Sequence, residues 1–155
     1  MSLEAARAAL TADLGREVHV SDWVEISQQR IDAFAAATGD RQWIHVDVER
    51  AARESPWRST VAHGFLTLAL LPVLRGVADG GAERFPGVRR IVNYGLNRVR
   101  FTNAVPAGAR VRGRARLLAV EEFKGGLQVT EEFTVELEGH ARPACIAETI
   151  ARLYF

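Results

Sequence analysis

Apolar and polar positions follow two different rhythms along this chain, and the change comes near its middle. In "SQQRIDAFAAATG", Ile31, Phe34 and Ala35 recur at helical spacing, with Ser27 placed to cap the helix start and Gly39 to stop it. Asp40 then emerges just after a helix end. "DVERAARES" reads as a second, shorter helix: Asp47 caps it, Glu49 lies in the first turn where the dipole favours negative charge, and Pro56 follows its end. His45 is expected in the turn between the two. From His63 the run "HGFLTLALLPVLRGVAD" is apolar on nearly every side, the pattern of a helix enclosed by protein. Pro72 has no N–H to give Leu68, which predicts a kink. "DGGAERFPGVRR" is a Gly-rich loop that closes this half.

Beyond that loop the period becomes two. In "RVRGRARLLAV", Arg110, Arg112, Arg114 and Arg116 share one face, and Val111, Gly113, Ala115 and Leu117 the other. "LQVTEEFTVELEG" is complementary, with Leu127, Val129, Phe133, Val135 and Leu137 on one face and Gln128, Thr130, Glu132, Thr134, Glu136 and Glu138 on the other. "KGG" between the runs is a turn signal, so an antiparallel hairpin sets the arginines against the glutamates. Four arginines in a row could otherwise bind phosphate; the acidic row opposite favours a solvated, ion-paired face. "RIVNYGLNRVRF", "PACIAETIARLYF" and, near the start, "REVHVSDWVEIS" are three more strand candidates. A helix apolar all round needs a wrapper, and a sheet of about five antiparallel strands with one apolar face supplies it. The expected class is α+β, with the sheet curled round a central apolar helix.

Composition narrows the picture little. The 155 residues suffice for a single domain spanning 1–155, with 48% hydrophobic and 25% charged residues, ordinary for a soluble globular chain. A net charge of +1 gives no global field for nucleic acid, so no nucleic-acid partner is expected. The longest apolar stretch, Phe65 to Leu74, is about half of what a spanning helix needs, so no membrane association is expected. The start, "MSLEAARAALTADLG", has helix formers ending at Gly15 and no signal-peptide pattern, and the single cysteine, Cys145, lies in an apolar run as a buried small hydrophobe would. A cytoplasmic setting is the default expectation. The four histidines, His19, His45, His63 and His140, are scattered along the chain, without metal-ligand spacing, and no nucleotide-binding glycine motif occurs. No metal and no organic cofactor is expected.

Chemistry concentrates in "GDRQWIHVD" and "AHG". Asp40 and His45 could form a general acid/base pair at neutral pH. The first N–H groups of the helix at Gly64 are unpaired and could stabilise negative charge on a substrate oxygen; a glycine lets a ligand approach the main chain. Trp43, Phe65 and Leu66 could wall an apolar substrate, with His63 beside them. Each element has a structural alternative: Asp40 as a turn residue, the histidines as partly buried residues with ordinary partners, Gly64 as a tight helix entry.

In order and combination these pieces resemble a known family. "FAAATGDRQWIHVDVERAARESPWRSTVAHGFLTLALL", resumed in "NYGLNRVRFTNAVPAGARVRG", is similar to the hydratase motif of the MaoC-like, (R)-specific enoyl-CoA hydratases, in particular the subgroup resembling nodulation protein N. The resemblance implies a hot-dog fold, catalytic roles for Asp40 and His45, and an oxyanion-hole amide at Gly64. It further implies reversible syn addition of water to a trans-2-enoyl-CoA, giving an (R)-3-hydroxyacyl thioester. CoA would enter only as part of the acyl-CoA substrate, and the protein would be a homodimer whose two sheets join edge to edge. Two departures stand out: Gln42-Trp43 where many relatives have Asn-Pro, and Pro72 where some have serine.

Two other readings stay open. A thioesterase on the same fold would activate water toward the carbonyl and release thiol from a saturated acyl-CoA. A non-catalytic subunit would bind acyl thioesters without turnover, and would have no need of an acid/base pair.

Overall fold

The computed structural model describes residues 2–78 and 85–155, so residues 79–84, the start of the Gly-rich loop, lie outside the described residues. Helix α1 (Leu3–Ala12) starts at Ser2, whose hydroxyl accepts from the Ala5 N–H. Strands β1 (Glu17–Val20) and β2 (Val24–Glu25) follow, so the first strand candidate is two short strands. Helix α2 (Gln28–Thr38) begins and ends as the sequence predicts: the Ser27 side chain accepts from the Arg30 N–H, and Gly39, at φ 80°, returns its N–H to Ala35. Asp47 accepts from the Arg50 N–H and so caps helix α4 (Val48–Glu54).

Between them lies α3 (Trp43–Val46), which corrects the expected free turn around His45. The His45 N–H donates to the Gln42 carbonyl and that of Asp47 to Trp43, and these bonds close a single helical turn.

The apolar run forms α5 (Gly64–Ala69) and α6 (Leu71–Arg75), broken at Leu70. Pro72 falls in the first turn of α6, where its missing N–H leaves no hydrogen bond unmade. Enclosure on nearly every side is not what the single chain shows: Phe65 is 69% and Val73 52% exposed. The open side continues onto an edge strand, since the Phe65 ring meets that of Phe101 edge-on at 5.9 Å.

That edge is β3 (Arg90–Phe101), followed by β4 (Arg110–Phe123), β5 (Gly126–Leu137) and β6 (Cys145–Tyr154). The strands pair antiparallel in the order β1-β4-β5-β6-β3, with β2 also on β4. The β4–β5 hairpin forms as expected, with Arg112 opposite Glu136 and Arg116 opposite Glu132. Arg110 pairs with Glu138, Arg112 with Glu136 and Arg116 with Glu132, while Arg114, which faces Thr134, reaches Glu17 on β1 at 2.6 Å. All four arginines are thus paired to carboxylates along the sheet.

The inner face holds the core. Val111, Ala115, Phe133, Val135 and Leu137 pack with Leu66, Leu74, Ile26 and Ile31. Gly113 is what lets them close: a Cβ there would lie 2.5 Å from the Phe133 ring and 2.9 Å from Leu74. Cys145 is fully buried in this cluster, and burial pushes its thiol up to about 11. The sequence reading of a buried small hydrophobe holds.

Candidate active site

Asp40 owes its position to the stop at Gly39. The chain leaves α2 through a left-handed residue, and the Asp40 N–H donates to Thr38 Oγ1 at 3.4 Å. Its own Oδ1 accepts from the Gln42 N–H at 3.4 Å, so Asp40 also serves the turn that opens α3. The residue is exposed, whereas His45 and His63 are buried.

His45 Nδ1 lies 2.6 Å from the Val61 carbonyl. A carbonyl can only accept, so Nδ1 carries the proton and a neutral His45 keeps the lone pair on Nε2. His63 stacks on it, ring centroids 3.8 Å apart and planes 25° from parallel, with Phe34 tilted against His63 at 5.0 Å. By the same logic His63 donates from Nε2 to the Asp40 carbonyl at 2.9 Å; its Nδ1 is buried without a partner among the described residues. The Asp40 carboxylate and ring nitrogens of His45 and His63 lie within 4.8 Å of one another. This corrects the view that the histidines are scattered. The separation along the chain closes in space because the Val61 N–H bonds Ile44 and the Ala62 N–H bonds Val105, folding the segment before α5 back on α3. Three such donors could share a divalent cation.

No motif in the sequence points to the support beneath this cluster. Gln28, in the first turn of α2, donates to the His45 carbonyl at 2.8 Å and to Asp32 at 2.8 Å, and accepts from the Thr60 hydroxyl. One amide thereby ties α2, α3 and the segment before α5 together.

The other predicted site residues divide. His63 is the residue at the start of α5, and Gly64 follows it; a Cβ at Gly64 would lie 2.8 Å from the Phe101 ring. Glycine here makes room for a neighbouring ring as well as for any ligand. Phe65 points to the open side, Leu66 packs into the core at 5% exposure, and half-buried Trp43 carries the Arg50 guanidinium 4.4 Å over its ring. Arg58 donates to the Arg53 carbonyl, and Arg90 starts β3, over the Tyr154 ring at 4.4 Å. The Arg89 N–H bonds the Tyr154 carbonyl. A pocket of about 340 Å³ begins at Leu68, one turn beyond Gly64, and runs along α6 between the helix and the sheet.

A hot-dog domain with a carboxylate and two imidazoles gathered at the start of its central helix is the class that fold and site define. The chain belongs to the MaoC-like dehydratase family: residues 9–138 match the family described as MaoC like domain. It is 51% identical over 146 residues to 3-hydroxyacyl-thioester dehydratase Z of Mycobacterium tuberculosis, covering 94% of this chain and 93% of that protein. It is 44% identical over 160 residues to Nodulation protein N of Rhizobium leguminosarum bv. viciae, covering 98% and 93%. Among solved structures, the (R)-hydratase from A. caviae involved in PHA biosynthesis shares the fold with a TM-score of 0.68 at 21% identity, over 90% of this chain and 96% of that one. The MaoC-like dehydratase from Rhodospirillum rubrum does so with 0.70 at 22%, over 91% and 92%. These relatives make the chain a hydro-lyase of the dehydratase and hydratase type. No helix among the described residues is long and apolar enough to cross a membrane.

Proposed function

We propose that the protein is an (R)-specific 3-hydroxyacyl-thioester dehydratase, acting in reverse as a trans-2-enoyl-CoA hydratase, with Asp40 and His45 as its catalytic pair. The fixed tautomer of His45 carries this reading. With Nδ1 donating to the Val61 carbonyl, Nε2 is left as the acceptor, on an imidazole that shares a 4.8 Å cluster with the Asp40 carboxylate. A water held by both loses its proton to His45 Nε2 as its oxygen attacks C3, and Asp40 fixes its orientation. The proton returns to C2 from the same side, so the elements of water add syn. Meanwhile the thioester oxygen gathers enolate charge and is met by the first N–H groups of α5, at Gly64. Neither a metal nor an organic cofactor takes part in this scheme; CoA is part of the substrate.

The substrate-contacting residues in this reading are His63, Trp43 and Phe65, with Leu66 supporting from the core. A homodimer follows from the open side of the chain. β3 ends the sheet with unpaired backbone groups, and Phe65, Tyr94, Leu96 and Phe101 are exposed on and beside it. Edge-to-edge pairing of two β3 strands covers both, and a monomer in sedimentation would contradict it. The whole chain acts as one domain, and a cytoplasmic location suits its single, unpaired cysteine.

The test follows the enoyl-thioester absorbance with crotonyl-CoA and a longer trans-2-enoyl-CoA. The wild type consumes both with the thiol still esterified, and Asp40→Asn and His45→Ala lose about 10²–10⁴-fold in rate. Thiol release from a saturated acyl-CoA would favour the thioesterase instead. Binding without turnover, unchanged in Asp40→Asn, would favour a non-catalytic subunit.

A further inference from the structure

His63, the residue before α5, is buried at 2% exposure, and the proton transfers proposed above do not use it. Its ring lies on His45 with centroids 3.8 Å apart and planes 25° from parallel, and Phe34 of α2 tilts against it at 5.0 Å. Its Nε2–H donates to the Asp40 carbonyl at 2.9 Å. One side chain therefore touches both members of the proposed pair. Packing alone does not call for an imidazole here. A phenylalanine would fill the place beside Phe34, whereas His63 leaves Nδ1 buried without a partner among the described residues, and an unmade buried hydrogen bond costs stability.

The two contacts act where the pair is least firmly held. His45 is tied at Nδ1 by the Val61 carbonyl, a single bond about which the ring can still swing and carry Nε2 with it. A ring stacked at van der Waals distance blocks that swing, since tipping either plane drives it into the other. Asp40 is exposed, and its local bonds, from its N–H to Thr38 Oγ1 and from the Gln42 N–H to its carboxylate, are both 3.4 Å, near the outer limit for a hydrogen bond. The bond from His63 is shorter than either and comes from a buried donor. We propose that His63 is a positioning residue of the reaction: its ring fixes the plane of His45 and its Nε2–H fixes Asp40, so that both side chains keep one geometry toward the bound water. The proposal rests on the reading of Asp40 and His45 as the catalytic pair, and it is separate from any edge that His63 offers to the substrate. A misplaced catalytic group costs rate before binding, so the role shows in kcat.

Hydration of crotonyl-CoA, thermal unfolding and imidazole NMR on the wild type and three variants test this. His63→Phe keeps a ring on His45 and loses the bond to Asp40, His63→Gln keeps a donor and loses the ring, and His63→Leu loses both. We expect kcat to fall about tenfold in each of the first two and about 100-fold in the third, with KM and the calorimetric affinity for butanoyl-CoA within about twofold of the wild type. In the wild type the two imidazoles carry their protons on opposite atoms, Nδ1 in His45 and Nε2 in His63, and the His45 ring protons are shifted upfield by the ring stacked on them. That shift persists in His63→Phe and is lost in His63→Leu. Unchanged kcat in His63→Leu, KM rising as far as kcat falls, or rate losses that track the fall in thermal midpoint would overturn the proposal. So would a proton on Nδ1 of His63 in the wild type, a result that needs no variant to fold. A wild type that hydrates no enoyl thioester would sink the proposed reaction, whereas the tautomers and the shift, found as described, would still support the placement of both side chains by His63.

Discussion

The corner made by α2, α3 and the start of α5 and the sheet behind it place their polar groups by opposite means. In the sheet, alternation sends charge outward, where Arg110, Arg112, Arg114 and Arg116 pair with glutamates in water, and leaves an inner face almost wholly apolar. In the corner, His45, His63, Ser55 and Thr60 are buried, and backbone carbonyls or Gln28 take their hydrogen bonds. The sheet supplies the burial that stabilises the chain, and the corner spends part of it on holding two imidazoles. Activity and stability should therefore respond to different residues.

The largest effects test that separation directly. Asp40→Asn should remove about 10²–10⁴-fold of the rate while its thermal midpoint stays near that of the wild type, because the side chain is exposed and amide oxygen can still accept from Gln42. Phe133→Ala should do the reverse, losing about 3–5 kcal/mol in denaturant unfolding from the cavity left against Leu74 and Gly113. A matching fall in midpoint for Asp40→Asn would break the comparison.

Smaller effects sharpen it. Gln28→Leu removes the bond to the His45 carbonyl, and with His45 acting as proposed we expect kcat to fall about tenfold with KM little changed, since misplacing the proton acceptor costs rate before binding. Arg112→Ala, on the half-exposed strip, should cost under about 1 kcal/mol and leave turnover unaltered. The strip's smallest signature is its pH dependence. The hydrogen bond from Arg110 holds Glu138 below the usual carboxylate range against an opposing desolvation, and the Arg110 charge adds a lesser push in the same direction. Its stabilising contribution is complete above the ordinary glutamate value and is lost as pH falls through the lowered one. Acid titration of the wild type against Glu138→Gln should show a slight divergence in that window, fading with added salt.

The sheet was the more legible of the two regions because its information is local. Alternation in "RVRGRARLLAV" and "LQVTEEFTVELEG" fixes which side chains meet, and β3 runs from Arg90 to Phe101 as its sequence pattern predicts. Ser27 and Gly39 bound α2 for the same reason, since capping is decided within a few residues. The stack of His63 on His45 was not legible, because tertiary hydrogen bonds at Val61 and Ala62 bring together two rings from distant parts of the chain. The open side of α5 and α6 was misread as enclosed, since an apolar surface awaiting a partner has the same composition as one already covered. Glu131 carried a signal, its phase within β5, but only its meeting with Arg75 shows why a carboxylate lies there.

Cys145 has a practical consequence for following this molecule. It is the one cysteine in the sequence, it lies fully buried, and its thiol stays protonated up to about 11. Maleimide dyes and spin labels should pass the native protein by at neutral pH. A cysteine introduced at an exposed position away from β3 and α6, such as Leu14 or Val48, then becomes the sole attachment point, with no background to subtract. Distances between labels on two chains, or the mobility of one label as thioester is added, can be read from the unaltered scaffold.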